Sequence, residues 1–208
     1  VVLGNTKFFL QWLIDKIDHS LIEHYQVFTF TSDPSCLLRL ALSKSPGDIT
    51  LSGGLKIQKG ESVGEFHLWN EHLPKLPPRG ADLAWGLKTF HLLHRSFILL
   101  ARYIERDHRF DEIRAFKGEW TFLPNLLKNY NFTLALRLGF DVVPKNYFPR
   151  RLNRFKEFWE NVFAWALVWR HNPQGLRGRN LLRSHRCWLW MSRPTLTGIV
   201  NKVSSADK

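Results

Sequence analysis

The sequence predicts an α+β fold, and three observations carry the prediction. Short apolar and β-branched segments crowd residues 25–70 between Gly- and Pro-containing turns. A long stripe of helical period follows from Asp82, and a strand, a helix and a strand follow between Ala115 and Val143.

The elements follow in order. Phe9, Leu13, Ile17 and Leu21 recur every four residues, with Asp15, Lys16 and Asp18 on other faces, so the chain opens with a helix. Tyr25 to Thr31 and Leu37 to Leu42 read as strands. Ser45-Pro46-Gly47-Asp48 and Ser52-Gly53-Gly54 are turns flanking two short strands, Ile49 to Leu51 and Leu55 to Ile57. Lys59-Gly60-Glu61-Ser62 turns into a further strand, Val63 to Asn70. Connections this short allow only antiparallel neighbours, which predicts a β meander.

Pro74, Pro77, Pro78 and Gly80 end the meander, and Asp82 caps a covering helix to about His108. Its expected core stripe is Leu83, Leu87, Phe90, His94, Phe97, Ala101 and Ile104. Ala115 to Trp120 is a strand, Pro124 opens a helix to Leu138, Gly139 closes it, and Phe140 to Val143 is the next strand. That spacing makes a closing β-α-β or split β-α-β unit. Leu152 to Arg170 is a helix carrying Phe155, Phe158, Trp159, Phe163, Trp165 and Trp169. Residues 176–194 read as a basic, aromatic continuation, and Val203 to Lys208 as a polar tail. The expected division is a core domain over 1–149 and a basic, Trp-rich helical C-terminal extension over 150–208.

The net charge of +12 is unevenly placed. Residues 1–144 carry 17 Lys and Arg against 15 Asp and Glu, and residues 145–208 carry 13 against 3. Between Asn161 and Ala206 there is no acidic residue. A field of one sign this concentrated points to an anionic partner. The longest apolar run, Val162 to Trp169, is eight residues, well short of the roughly 20 a bilayer span needs, so no transmembrane helix is expected. Cys36 and Cys187 fit two free thiols in a reducing compartment.

Two groups of residues are candidate sites. Glu65, His67 and Trp69 alternate along one strand and share a face, with Asn70 and Glu71 at its end. Imidazole beside carboxylate is the chemistry of general acid–base catalysis, so His67, Asn70 and Glu71 are candidate catalytic residues. The second group is the basic, aromatic C-terminal third. Arg170, Arg177, Arg179, Arg183 and Arg186 would meet anionic lipid headgroups, with Trp188 and Trp190 at the interface. The same composition suits nucleic acid, which ranks lower because residues 1–144 are nearly neutral and no nucleic-acid motif is found. His91 and His94 stand three apart on a helix, but no further ligand completes a metal set. Neither a metal nor a cofactor is expected.

Several phrases, taken in order, resemble the YkoP-like domain family, found alone or fused behind polysaccharide deacetylases. They are Asp15 to Tyr25 (DKIDHSLIEHY), Ile49 to Ile57 (ITLSGGLKI), Lys59 to Asn70 (KGESVGEFHLWN), Arg109 to Gly118, and Leu138 to Val143 (LGFDVV). The resemblance covers about residues 8–145 and implies an envelope-glycan setting, without an activity. The deacetylases' metal-binding motifs are absent. Leu138-Gly139-Phe140 is also similar to the closing segment of Gcn5-related acetyltransferases, but their Gln/Arg-x-x-Gly-x-Gly/Ala loop does not occur in this chain.

The leading expectation is therefore an accessory, non-catalytic domain. It would act on the cytoplasmic side at an anionic membrane surface, in envelope polysaccharide or lipid metabolism, with headgroups or glycan intermediates as partners. The alternatives are a small hydrolase or transferase using His67, Asn70 and Glu71, and a nucleic-acid binder.

Overall fold

The computed structural model describes residues 2–122, 135–144, 153–176 and 185–206. In chain order its helices are α1 (Val2–His24), α2 (Leu83–Ile104), α3 (Asn153–His171) and α4 (Arg193–Ala206). Its strands are β1 (Leu38–Lys44), β2 (Ile49–Thr50), β3 (Lys56–Ile57), β4 (Ser62–Leu68), β5 (Ala115–Phe122), β6 (Asp141–Pro144) and β7 (His185–Ser192). Five of the strands form one mixed sheet in the order β1-β4-β5-β7-β6, and β2 and β3 form a separate hairpin, so the fold is α+β.

The meander is simpler than the spacing predicts. β1 pairs directly with β4 from Leu38 opposite Leu68 to Lys44 opposite Ser62, and the β2–β3 hairpin is an excursion between them. Tyr25 to Thr31 is not a strand. Gln26 takes φ +52° on leaving α1, and the one ladder contact is the Phe28–Leu40 bridge. α2 then links β4 to its parallel neighbour β5. Asp82 caps α2 by accepting from the Trp85 backbone N–H at 2.8 Å.

α2 is buried later along its length than its stripe predicts. Leu83 and Leu87 are exposed, and burial begins at Leu93 and continues through Phe97, Leu100, Ala101 and Ile104. The helix stops at Ile104, where Arg193 donates to the Ile104, Phe110 and Asp111 carbonyls and so satisfies groups a helix end leaves open.

The C-terminal third departs most from expectation. Residues 185–192 are not part of a helical extension: β7 lies between β5 and β6 and is antiparallel to both. β5 and β6 therefore run parallel with a strand inserted between them, which is the split β-α-β arrangement. The expected boundary at 149/150 falls between β6 and α3, yet β7 beyond it is the central partner of strands before it. Cys187, Leu189 and Met191 join the core on one face of the sheet, while Trp188 and Trp190 lie on the other. Apolar residues on both faces hide a period of two, which is why a central strand reads as an unbroken apolar run. α4 runs on to Ala206, where a polar tail is expected from Val203.

Of the helix expected over 124–138, residues 123–134 lie outside the described residues, and 135–137 are helical. Gly139 ends that segment with φ +85°, the left-handed conformation glycine adopts without strain. The Gly139 N–H donates to Leu136 O and the Phe140 N–H to Ala135 O.

The two faces of the sheet differ in character. The first packs Leu38, Leu40, Phe66, Phe116, Leu189 and Met191 against Phe97, Leu100 and Ile104 of α2 and Leu196 of α4. On the second, the β2–β3 hairpin covers Val63, Ala115 and Trp190 with Ile49, Leu51 and Ile57. Beyond the hairpin, towards the carboxyl ends of β4 and β5, that second face turns polar.

Candidate functional site

The polar half of the second face begins where β4 and β5 part. Their parallel ladder joins only Gly64 to Phe116 and Glu65 to Lys117, and beyond it each strand keeps just its antiparallel neighbour. Glycine allows this geometry. A Cβ on Gly118 would lie 2.1 Å from the Phe66 ring, and one on Gly64 2.2 Å from the Phe116 ring. On the first face, then, Phe66 fills the space beside Gly118. On the second face, Lys117 donates to Glu65 at 2.5 Å.

This ion pair is deeply placed, with the Lys117 side chain 5% exposed and that of Glu65 17%. The Lys117 ammonium also lies 4.5 Å from the Trp188 ring centroid, a cation–π contact that offsets part of its desolvation. Burial alone would raise the Glu65 carboxyl, but Lys117 and His67 hold it below the ordinary carboxylate value. His67 Nε2 is 3.8 Å from Glu65 Oε1, and about a third of the ring is exposed (34%). For His67 burial dominates and lowers the pKa from 6.5; Glu65 pulls it up and Lys117 pushes it down again. The ring is therefore neutral at pH 7, able to accept a proton and flanked by a carboxylate that stabilises the imidazolium it would become.

Across the ladder, Arg39 of β1 stands opposite His67. Its guanidinium sits 4.7 Å from the Trp69 ring centroid and 3.5 Å from Glu71. The other side of this group is set by His72, which stacks on Trp69 at 3.7 Å and bonds through Nδ1 to the Cys36 carbonyl at 2.8 Å.

Of the three expected catalytic residues, the structure places His67 and Glu71 on either side of Arg39. Asn70 opens a 3-10 turn, its carbonyl accepting from the Leu73 N–H, and among the described residues no contact joins it to His67. Lys117 and Arg39 belong to the site but were not singled out in the sequence. Only the strand register brings them beside Glu65 and His67.

The expected headgroup residues fare differently. Trp190 is wholly buried beneath the hairpin, so it is not an interfacial side chain, because its strand is internal to the sheet. Trp188 is half-buried over Lys117. Arg170 forms a two-pronged pair with Asp15 of α1 at 2.9 and 3.0 Å and is not a free cation. Arg177, Arg179 and Arg183 lie outside the described residues, and Arg186 is in β7 with its backbone alone described. Among the described residues no helix is long and apolar enough to cross a membrane.

Comparison with protein families matches the YkoP domain over residues 7–198, well past the phrases that carry the resemblance at the sequence level. No curated protein and no solved structure matches the chain.

A histidine held neutral by burial makes stability depend on pH. Its folded pKa lies below its unfolded value, so the unfolded chain binds more protons between the two. The contribution is complete above pH 6.5 and is lost as pH falls below it. NMR titration of the His67 ring should give a pKa below 6.5, and Glu65→Gln should lower it further by removing the stronger of the two carboxylates, Glu65 and Glu119, that raise it. An unshifted or raised value would contradict the geometry.

Proposed function

This chain belongs to the YkoP domain family, over a span that takes in every described strand, and from that premise we propose that it is a small hydrolase or transferase working by proton transfer at His67. The observation that carries the proposal is the neutral imidazole 3.8 Å from Glu65, itself fixed by Lys117, where two parallel strands diverge at their carboxyl ends. Crevices at the carboxyl ends of parallel strands are where open α/β sheets bind ligands.

His67 would take the proton from a nucleophile (water in hydrolysis, a hydroxyl or amine in transfer) as that group attacks an activated carbonyl or glycosyl carbon, and would return it to the alcohol, thiol or phenol that leaves as the old bond breaks. Glu65 would stabilise the resulting imidazolium. Lys117 neutralises part of Glu65 and so keeps His67 from being protonated before substrate arrives. The test is a panel of nitrophenyl esters, acyl thioesters and nitrophenyl glycosides. Wild type should turn over at least one class, and His67→Asn should lower kcat/KM by about 100-fold or more at an unchanged melting temperature. No turnover of any class, or turnover indifferent to His67→Asn, would contradict the proposal.

A second reading, peripheral contact with an anionic membrane surface, is favoured by α1 instead of the arginines named from the sequence. This helix turns Asp15 and Asp18 towards the protein and leaves Phe8, Phe9, Trp12, Leu13 and Ile17 exposed, Phe8 by 73%. Lys16, four residues after Trp12, is exposed beside them. Aromatic side chains with lysine on one helical face suit the headgroup region. Co-sedimentation with phosphatidylglycerol vesicles should be salt-sensitive and should fall several-fold when Phe8 and Trp12 are both changed to Ser. Equal binding by the variant, or none by wild type, would exclude this surface.

A further inference from the structure

β1 is an edge strand of the five-stranded sheet, and the last part of its outer edge is open. Odd-numbered positions along it bond to the β4 side: the Trp69 N–H donates to Leu37 O at 2.7 Å, and the Ser45 N–H to Glu61 O at 2.9 Å. Alternation along an antiparallel ladder then turns the N–H and C=O of Leu40, Leu42 and Lys44 outward. Leu40 exchanges both of its bonds with Phe28, at 2.8 and 2.9 Å. The chain carries that pairing no further. Gln26, which would stand opposite Leu42, has φ +52° and spends its N–H on Glu23 O, so the backbone turns off into α1. Among the described residues nothing bonds the outward backbone groups of Leu42 and Lys44, and both residues are exposed.

An open cavity of about 510 Å³ adjoins this edge, with Leu42, Lys44 and Ser62 on one side and Arg109, Asp111 and Glu112 on the other. Part of its charge is already paired. Arg109 bonds Asp107 at 2.7 Å, and Asp111 bonds His108 at 3.0 Å. Lys44 donates to the Ser62 hydroxyl at 2.7 Å and has no carboxylate beside it among the described residues. Residues directly opposite across an antiparallel pair share a face, and opposite charges or two apolar side chains stabilise such positions. An incoming strand is therefore matched by a carboxylate opposite Lys44 and, two residues later, an apolar side chain opposite Leu42. Asp111 and Glu112 on the far wall disfavour a second acid, and Phe28 limits the added strand at the Leu40 end.

A second copy of the chain does not suit the edge. With Lys44 opposite its own counterpart, like charges meet, and Pro46, which has no N–H, falls opposite Leu42. One register further in, residue 46 of the copy would fall where Phe28 already pairs with Leu40.

We propose that this edge binds an extended peptide segment of a partner protein as a short added antiparallel strand, with an acidic residue opposite Lys44 and an apolar one opposite Leu42. Main-chain bonds to Leu42 and Lys44 supply affinity, and the two side chains supply selectivity. The surface lies beside the start of β4, at the other end of that strand from His67, and is independent of the proton-transfer reading.

The test titrates the full chain into the labelled peptide fluorescein-Thr-Glu-Thr-Val-Thr-amide, followed by anisotropy and by amide hydrogen exchange. Binding should saturate by about 1 mM, and the Leu42 and Lys44 amides should exchange more slowly in the complex. N-methylation of the peptide valine, which removes the N–H that meets Leu42 O, should abolish binding. Lys44→Glu should weaken binding by about tenfold at an unchanged melting temperature, and a peptide with Lys in place of Glu should restore it on that variant. No saturation, binding indifferent to N-methylation, or an unchanged charge preference in Lys44→Glu would each overturn the proposal. So would sedimentation showing a dimer of the chain alone with those two amides protected, because the edge would then belong to a second copy.

Discussion

The contact on which the rest of the site depends is the Lys117–Glu65 ion pair at the last rung of the β4–β5 ladder. Two parallel strands joined over two rungs have few backbone bonds to hold them, and on the first face the Phe66 ring occupies the space beside Gly118. On the second face the pair closes the same gap with charge. Its geometry fixes three things together: the separation of the strands, the rotamer of Glu65, and hence the field at His67. Removing water from an ammonium and a carboxylate is expensive, and in general such a pair offers little net stability over an apolar replacement. Its clearer effect is on the field at the neighbouring histidine, because it holds Glu65 as a carboxylate 3.8 Å from His67 Nε2.

Two cations of the C-terminal third have described side chains, and both are bonded within the chain. Arg193 holds the end of α2, and Arg170 ties α3 to α1 through Asp15. Both are structural cations, bonded within the chain. Trp190 and Cys187, in the same basic stretch, are core residues of a central strand, and burial pushes the Cys187 thiol up to about 12, so it is an inert packing group. Among the described residues, α1 at the other end of the sequence combines exposed aromatic side chains with an exposed lysine.

Much of the fold was legible because its elements have strong local signals. Asp82 caps the long helix, Gly139 closes the segment before β6, and the glycines around residues 53 and 60 mark the hairpin turns. What was not legible was non-local. The alternation of Glu65 and His67 placed them on one face, but nothing in the sequence said that Lys117 and Arg39 would be their lateral neighbours, since strand register is decided by packing. β7 was hidden for a related reason: a strand buried on both faces loses the alternation that identifies strands. The helical period places Asp18 off the apolar stripe of α1. It turned out to face inward because the helix presents its aromatic side to the outside, the reverse of the usual arrangement.

The most direct test of this account is a double-mutant cycle on the ion pair, read by denaturant unfolding of Glu65→Leu, Lys117→Met and the combined variant. If the pair holds the strands at a dehydrated site, each single change should cost roughly 3–5 kcal/mol by leaving a buried charge uncompensated. The combined variant should then recover most of that loss. Single changes costing less than about 1 kcal/mol, the range of an exposed salt bridge, would contradict it, as would a combined loss equal to the sum of the two. Either result would mean that the strands are held together by something else and that His67 is not poised by this pair.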